Sequence, residues 1–347
     1  MNHIVEYITY FFNKLIDSNA LNPFNFFDAI FDKNIAGGVL FYQYILGFLL
    51  IYLFSFLLYK FVIKRLYMAS FYTTRHRQII RTNSFKIDIW WNVLAILKIN
   101  SILIKVFSII FLTEFFLSFN AIKQLSDNKL FVFFNGGEAG YLSAELVLVL
   151  KLVLLLLVQD LATYIAHRMS HRVPFLWCFH KVHHYPTHIN YFANNRQHPF
   201  EGFLWGTIST VMITIFTVLF MPFYQDVGAI QFDNVLLMFV VVTFPKIMGI
   251  FVHIHVPLSF GSIFNKIFVS PAVHTLHHSD LIHDKNFGSK FSIWDVLFKT
   301  YYMPSSSSEL LNHYQNLGAG GDDDYYKNIV DALIKPFKEA HGVLFKK

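Results

Sequence analysis

Long runs of apolar residues recur along this chain of 347 residues. Residues 39–59 form an uncharged run of 21 residues, which is long enough to cross a hydrocarbon layer about 30 Å thick as a helix. Residues 203–223 form a second run without charged residues, and runs with one to three charged residues cover 102–119, 142–166 and 235–252. The pattern predicts an all-α integral membrane protein with about four to five embedded helices.

Basic residues are distributed unevenly between the segments that connect these runs. The segment after the first run is rich in them: Lys60, Lys64, Arg65, Arg75, Arg77, Arg81, Lys86 and Lys98. Residues 120–141 contain only Lys123 and Lys129, and residues 224–228 contain neither lysine nor arginine. Because cytoplasmic loops carry the excess of basic residues, we expect the basic segment to be cytoplasmic. Counting the runs from there also places residues 167–202 and those after 252 on the cytoplasmic side, in a bacterial inner membrane or an endoplasmic reticulum membrane.

The C-terminal region has a different pattern. Residues 305–308 are typical of a polar linker and residues 318–321 of a turn. Beyond them, apolar residues recur at helical spacing: Tyr326, Ile329, Val330, Leu333, Ile334 and Phe337. This amphipathic helix either packs on the domain or lies on the membrane surface, and we favour packing. The chain is therefore divided into an N-terminal non-cytoplasmic segment (1–38), a membrane-embedded domain (39–304) and a C-terminal linker with a helix (305–347).

The composition agrees with a membrane protein. Charged residues make up 14% of the chain, against about 25% in soluble domains. Cys178 is the single cysteine, so an intrachain disulfide is excluded. The formal net charge of +6 fits a cytoplasmic surface bias, and we expect no nucleic-acid partner. Residues 1–38 lack a basic stretch followed directly by an apolar core, so no cleavable signal peptide is predicted.

Thirteen of the 17 histidines lie between His167 and His283. Eight of them form three regularly spaced boxes: His167 and His171; His180, His183 and His184; and His274, His277 and His278. Residues three and four apart share one face of an α-helix, so each box can direct two or three imidazoles at one centre. Eight unpaired imidazoles would be costly to bury, and eight ligands exceed what one metal ion accepts. The pattern predicts a site for two metal ions, although imidazole alone does not select among iron, zinc, copper and nickel.

Proline and serine mark the ends of the short helices that carry the second and third boxes. Pro174 precedes the second box and Pro186 follows it. Ser270 is predicted to be the N-cap of the third helix, with Pro271 at its first position. We therefore expect two short, rigid helices that present histidines.

Two segments resemble a known family. Residues 160–201 read DLATYIAHRMSHRVPFLWCFHKVHHYPTHINYFANNRQHPFE, and residues 274–304 read HTLHHSDLIHDKNFGSKFSIWDVLFKTYYMP. Together they resemble the fatty acid hydroxylase and sterol desaturase superfamily, whose pattern is HxxxH, HxxHH and a later HxxHH. The resemblance covers residues 155–304. It implies a cytosolic helical cap that holds a non-haem di-iron site, with the three boxes as ligands.

The resemblance also points to residues outside the boxes. His253 lies where the family has a further histidine and His198 where it often has one, so both are candidate metal ligands. His255 falls where asparagine is more usual, and whether it is a ligand stays open. Asp160 belongs to the family pattern and is a candidate to orient a histidine from another helix.

By this resemblance the protein is an oxidoreductase that uses dioxygen to hydroxylate or desaturate a C–H bond of a sterol, fatty acyl chain or other lipid. Two iron ions and dioxygen are the implied cofactors. The sequence contains no dinucleotide-binding glycine motif, flavin motif or haem-binding motif. The electrons are therefore expected from a separate reductase, ferredoxin or cytochrome.

Two alternatives stay open. One is cleavage of an ether lipid by an enzyme similar to alkylglycerol monooxygenase, which uses the same chemistry. The other is a membrane metal transporter, but transporters hold their ligands in broken helices near the middle of the membrane. The histidines of this chain lie at or beyond the ends of the apolar runs. Oxygen consumption with a candidate lipid would separate the enzyme from the transporter.

Overall fold

The computed structural model describes residues 78–96, 144–219, 248–249, 251–255, 258–320 and 324–345. These residues form helices joined by loops. The helices are, in chain order, α1 (Asn83–Ile96), α2 (Ala144–Arg172), α3 (Pro174–His184), α4 (Pro199–Leu219), α5 (Gly261–Phe264), α6 (Pro271–His277), α7 (Ile293–Leu297), α8 (Ser307–Gln315) and α9 (Ile329–Phe345). A short 3₁₀ helix (Tyr191–Asn195) lies between α3 and α4. The prediction of a helical protein is confirmed for this part of the chain.

The predicted membrane spans are represented only in part. The runs at 39–59 and 102–119, and most of 235–252, lie outside the described residues. Residues 144–166 of the run at 142–166 lie in α2 and residues 203–219 of the run at 203–223 lie in α4, so the described parts of these runs are helical. Within the described residues, no helix combines the length and the apolar character that crossing a membrane requires.

Helix α2 carries the first histidine box near its C-terminal end. Its 29 residues include no glycine or proline, and its many leucines have high helix propensity. The helix ends at Arg172 because Val173 precedes Pro174 and adopts an extended conformation (φ −101°, ψ 112°). Pro174 then begins α3, so the first and second boxes lie on separate helices.

Proline and a capping side chain begin the other two helices near the site. At α6, Ser270 Oγ accepts the N–H of Val273 at 3.3 Å and Pro271 follows, which confirms the predicted cap. Helix α4 begins at Pro199, and Nδ1 of His198 accepts the N–H of Phe200 at 3.1 Å. Each cap satisfies a backbone N–H that the first helical turn leaves without an intrahelical partner.

A buried ion pair joins α1 to the chain that follows α3. Arg196 Nη1 lies 3.0 Å from Asp88 Oδ1, and both side chains are fully buried. Arg196 Nε donates to the Val182 carbonyl at 2.8 Å, and Asn190 donates to the second oxygen of Asp88 at 2.9 Å. These hydrogen bonds compensate the loss of hydration that both charges suffer on burial. They also hold the backbone at the end of α3, beside the second histidine box.

The C-terminal helix α9 packs against α3. The ring centroids of Phe337 and Phe179 are 5.1 Å apart, and Lys181 Nζ lies 2.5 Å from Glu339 Oε2. The prediction that this helix packs on the domain is confirmed. Other apolar side chains of α9, among them Leu344 and Phe345, remain exposed.

Candidate metal centre

Five histidines from three helices converge and are called group A: His167, His171, His180, His184 and His277. Their candidate ligand nitrogens all lie within 4.8 Å of one another. The Nε2 atoms of His171, His180 and His184 are 3.0 to 3.1 Å apart in every pair. The remaining two rings come from α2 and α6, and the centroids of His167 and His277 are 4.4 Å apart.

Four further histidines form group B: His183, His253, His274 and His278. The Nε2 atoms of His253 and His274 are 3.0 Å apart, and those of His274 and His278 are 3.2 Å apart. The Nε2 of His183 lies 3.4 Å from that of His253. The ring of His278 stacks on that of His184 in group A at 4.3 Å, so the two groups adjoin.

The two HxxHH boxes are each divided between the groups. The first and last histidines of a box belong to one group and the middle histidine to the other. In α3 the middle histidine, His183, faces group B, whereas at α6 the middle histidine, His277, faces group A. Neighbouring residues of a helix are about 100° apart around its axis, so adjacent histidines reach different centres. Each box therefore contributes to both groups.

Backbone carbonyl groups fix the orientation of three of the rings. The Nδ1 atoms of His167, His253 and His277 each donate at 2.8 Å to a carbonyl oxygen, those of Phe287, Gly249 and Lys285, respectively. A carbonyl only accepts, so the ring proton is on Nδ1 and the lone pair is on Nε2. Nε2 is the nitrogen directed at the group, so these rings are oriented to bind a metal ion.

Glu201, in the first turn of α4, was not singled out by the sequence. Its Oε1 accepts a hydrogen bond from His180 Nδ1 at 2.5 Å, and both side chains are buried. Burial raises the pKa of Glu201 to about 8. The positive charge of a metal ion at Nε2 of His180 would favour the ionised form of Glu201, and a carboxylate at Nδ1 makes the other ring nitrogen a stronger metal ligand. Glu201 thus has the arrangement for which Asp160 was a candidate.

Asp160 has other partners. Its carboxylate accepts hydrogen bonds at 3.1 to 3.2 Å from the Lys290 and Phe291 backbone, the Lys290 ammonium and the Trp294 indole. The carboxylate therefore anchors the loop before α7 to α2. Asp160 was a candidate to orient a histidine, and the hydrogen bonds of its carboxylate go to this loop and to Trp294 instead.

A second carboxylate, that of Asp295, braces the same loop. It is fully buried and accepts from the N–H groups of Phe287 and Gly288 at 2.8 and 2.7 Å. A Cβ at Gly288 would lie 2.6 Å from the Phe291 carbonyl oxygen, so only glycine fits there. The Phe287 carbonyl accepts the hydrogen bond of His167 Nδ1, so the contacts of Asp295 help to fix the position of a group A histidine.

His198 lies outside both groups. Its Nε2 donates to the Leu333 carbonyl of α9 at 2.9 Å, and its Nδ1 accepts the N–H of Phe200. Both nitrogens therefore join α4 to its surroundings, and we leave His198 out of the proposed ligand set. His255 is buried and is likewise a member of neither group.

Burial lowers the pKa of every ring in the two groups, and for all but His253 the other histidines lower it further. The pKa values of His253 and His277 fall to about 4. Desolvation disfavours the charged imidazolium, so the rings are neutral near pH 7 and offer lone pairs.

The donor set fits two metal ions. The Nε2 atoms of His167 and His277 are buried and have no hydrogen-bond partner among the described residues. A bound metal ion would supply the missing partner of both atoms. Nitrogens about 2.1 Å from one ion and at right angles lie about 3.0 Å apart, close to the spacing in group A. Group A offers five donor atoms, which is more than the four ligands of a structural zinc site.

A cavity of about 330 Å³ opens beside both groups. Its lining includes His171, His184 and His277 of group A and His278 of group B. The other lining residues are mainly polar or aromatic: Trp177, Lys181, Tyr185, Ser279, Asp280, His283, Asp284 and Tyr325. A molecule bound in this cavity would lie next to both candidate metal positions.

The geometry coincides with a family match. Residues 152–300 match the model of the fatty acid hydroxylase family, and this range contains groups A and B, Asp160 and Glu201. Through this region, the chain is similar to the fatty acid hydroxylase family. The resemblance seen in the histidine boxes is thereby confirmed.

Three curated relatives each match between 41% and 46% of the chain. An ornithine lipid hydroxylase of Rhizobium tropici is 24% identical over 160 residues, or 46% of this chain and 44% of the relative. An alkylglycerol monooxygenase of Caenorhabditis elegans is 25% identical over 41% of the chain and 25% of the relative. A fatty acid hydroxylase of a Lecanicillium species is 28% identical over 42% of the chain and 40% of the relative. The matches thus span less than half of each relative. No solved structure shows significant similarity to the chain.

Proposed function

We propose that this protein is a membrane-bound di-iron monooxygenase that hydroxylates a C–H bond of a lipid. The observation that carries the proposal is the convergence of nine histidines into two adjoining groups. The match of residues 152–300 to the fatty acid hydroxylase family supports this class of chemistry. The names of the three relatives refer to an ornithine lipid, an alkylglycerol and a fatty acid, which favours a lipid substrate.

In this proposal group A holds one iron ion and group B the other. When bound, the iron ions supply the redox chemistry with which dioxygen oxidises an unactivated C–H bond. The reaction R–H + O₂ + 2 e⁻ + 2 H⁺ → R–OH + H₂O balances only with two electrons and two protons from outside. We assign the electrons to a separate donor protein, such as a reductase, ferredoxin or cytochrome, because the sequence has no motif for a redox cofactor of its own.

The side chains around the histidines limit the access of water to the centre. Trp205 and Phe287 pack on the ring of His167, with centroids 5.3 and 5.8 Å away. Trp177 packs on the rings of His171 and His184 at 5.0 and 5.5 Å, beside the cavity. Aromatic bulk at these positions excludes solvent from the reacting groups. In our proposal the cavity receives the part of the substrate that is oxidised.

Turnover under ¹⁸O₂ is expected to place one labelled oxygen atom in the lipid product, because a monooxygenase inserts one atom of dioxygen and reduces the other to water. The measurement is mass spectrometry of lipids from cells with the active gene and from cells that carry a His184→Ala variant. Since the cavity lining is largely polar, fragmentation should locate the new hydroxyl near the polar end of the lipid.

Three other outcomes would change the proposal. An unlabelled alkene would show a desaturase, in which both oxygen atoms leave as water. Label taken from H₂¹⁸O would show a hydrolytic centre and overturn the oxygenase proposal. A hydroxyl placed far along a hydrocarbon chain would exclude the polar cavity as the site of the reaction.

A second candidate function is cleavage of an ether lipid, favoured by the similarity to alkylglycerol monooxygenase. Hydroxylation of the carbon next to an ether oxygen gives a hemiacetal, which breaks down into an aldehyde and an alcohol. Release of a fatty aldehyde from an alkylglycerol would therefore favour this candidate. A stable hydroxylated lipid favours the first.

We further propose that the apolar runs embed the chain in a membrane, with both histidine groups on the cytoplasmic side. The uneven distribution of lysine and arginine supports this orientation. In a variant that lacks Cys178, an impermeant thiol reagent applied to intact cells should label a cysteine placed within 120–141. It should not label Ser305→Cys, which lies in an exposed stretch of the linker. The reverse labelling pattern would show the opposite orientation.

A further inference from the structure

Six large apolar side chains are exposed on two neighbouring segments of the domain. They are called the rim and are Ile263, Phe264, Ile267, Val296, Leu297 and Phe298. Ile263 is 71% exposed and Leu297 is 65% exposed, which is unusual for side chains of this size. A group of exposed apolar residues on one surface commonly marks an interaction site.

Backbone contacts hold the two segments of the rim together. The Ser292 N–H donates to the Ile267 carbonyl at 2.9 Å, and the Val269 N–H donates to the Lys290 carbonyl at 3.0 Å. The rings of Phe268 and Phe291 also pack against each other, with centroids 5.7 Å apart. The rim is therefore a single fixed surface.

The exposed charges on these segments are of one sign. Within residues 258–268 and 290–299, the exposed charged side chains are those of Lys266 and Lys299. Asp295 is the acidic residue of the two stretches, and it is fully buried. An apolar surface with lysines at its edge is complementary to a bilayer that contains anionic lipids.

The contacts between the rim segments and α2 agree with a location of the rim at a membrane surface. Phe298 stacks on Tyr164 with centroids 5.3 Å apart, and Trp294 donates to Asp160 at 3.1 Å. Asp160 precedes His167 by seven residues, which is about 10 Å along a helix, in the direction of the apolar part of α2. The rim and the apolar part of α2 therefore lie on the same side of the histidine groups.

We propose that the rim rests in the interfacial layer of an anionic lipid bilayer. This inference depends on the membrane embedding proposed above and adds a second contact, made by the cap itself. Apolar side chains would enter the boundary between headgroups and acyl chains, while the two lysines meet lipid phosphates. The contact would hold the histidine groups at a fixed height above the membrane.

The experiment uses the full chain in vesicles of phosphatidylcholine with or without phosphatidylglycerol. A polarity-sensitive fluorophore is attached at Phe264→Cys or at Leu297→Cys in a Cys178→Ala background, and brominated phosphatidylcholine serves as quencher. Leu281→Cys is the matched control, because Leu281 is 47% exposed and follows Asp280 at the cavity. We expect quenching at both rim positions at least about twofold stronger than at position 281. Replacing Lys266 and Lys299 with glutamine should reduce the extra quenching that phosphatidylglycerol causes.

The outcomes are separable. If the chain stays with the vesicles in alkaline carbonate but quenching is equal at all three positions, the rim proposal alone is overturned. A chain that carbonate releases overturns the membrane embedding, and the rim proposal with it. Energy transfer between labelled copies at the rim, without quenching by lipid, would show that a second copy covers this surface and would also overturn the proposal.

Discussion

Replacement of His184 with alanine is expected to remove at least one metal ion per chain and to lower activity by more than about 100-fold. The Nε2 of His184 lies 3.0 Å from that of His180 and 3.1 Å from that of His171, so the variant loses one of the closely spaced donors of group A. His278→Ala should have the same effect on group B, which has four histidine donors among the described residues. The double variant should bind neither ion. The measurements are metal content by mass spectrometry and product formation under dioxygen.

A control is available on α9. His341 is exposed and belongs to neither group, so His341→Ala should keep both ions and full activity. The same is expected for His3 and His76, which lie outside the described residues. Two ions per chain in the double variant of His184 and His278 would contradict the ligand assignment. Zinc instead of iron in protein from iron-replete cells would contradict the choice of metal.

Local features of the site follow from the sequence, because they depend on residues close together in the chain. The cap at Ser270 with Pro271 forms as predicted. The break between α2 and α3 occurs at Val173 and Pro174, where proline disfavours helix in the preceding residue. Spacing also placed each histidine box on or next to a helix.

The division of the boxes between two groups could not be predicted from spacing. Spacing shows that His183 and His184 are about 100° apart on their helix, but not what each side chain meets. That depends on how α3 and α6 cross, which is a tertiary feature. The position of α4 is also tertiary, and it brings Glu201 to His180 from 21 residues away. The signal that the sequence offered for this contact was a glutamate at the third position of the helix that follows His198.

Backbone acceptors are a further limit on prediction. The carbonyl groups of Phe287, Gly249 and Lys285 fix three of the rings, and no residue type encodes a free carbonyl. The loop that supplies two of them is shaped by Asp295, whose partners are backbone N–H groups. A sequence motif can therefore name the ligands without naming the groups that orient them.

Substitution of Glu201 tests whether this carboxylate strengthens the metal site or only fills space. Glu201→Ala removes the acceptor of the His180 Nδ1 proton, so the ring loses its orientation and Nε2 becomes a weaker donor. We expect the affinity of group A for its ion to fall by about 10- to 100-fold. Glu201→Gln keeps an acceptor oxygen without the charge. Its metal affinity should therefore lie between that of Glu201→Ala and that of the natural protein.

Two measurements separate these roles. Competition with a chelator gives the metal affinity, and chemical denaturation of the metal-free protein gives the free energy of unfolding. Because burial of the Glu201 carboxylate is unfavourable in the absence of metal, Glu201→Gln should leave the metal-free protein at least as stable as the natural one while it weakens metal binding. Glu309→Gln is the control, since Glu309 is exposed and its side chain contacts Tyr302. Unchanged metal affinity in Glu201→Ala would show that the carboxylate does not act through His180. A parallel loss of stability and affinity in Glu201→Gln would indicate a purely structural role.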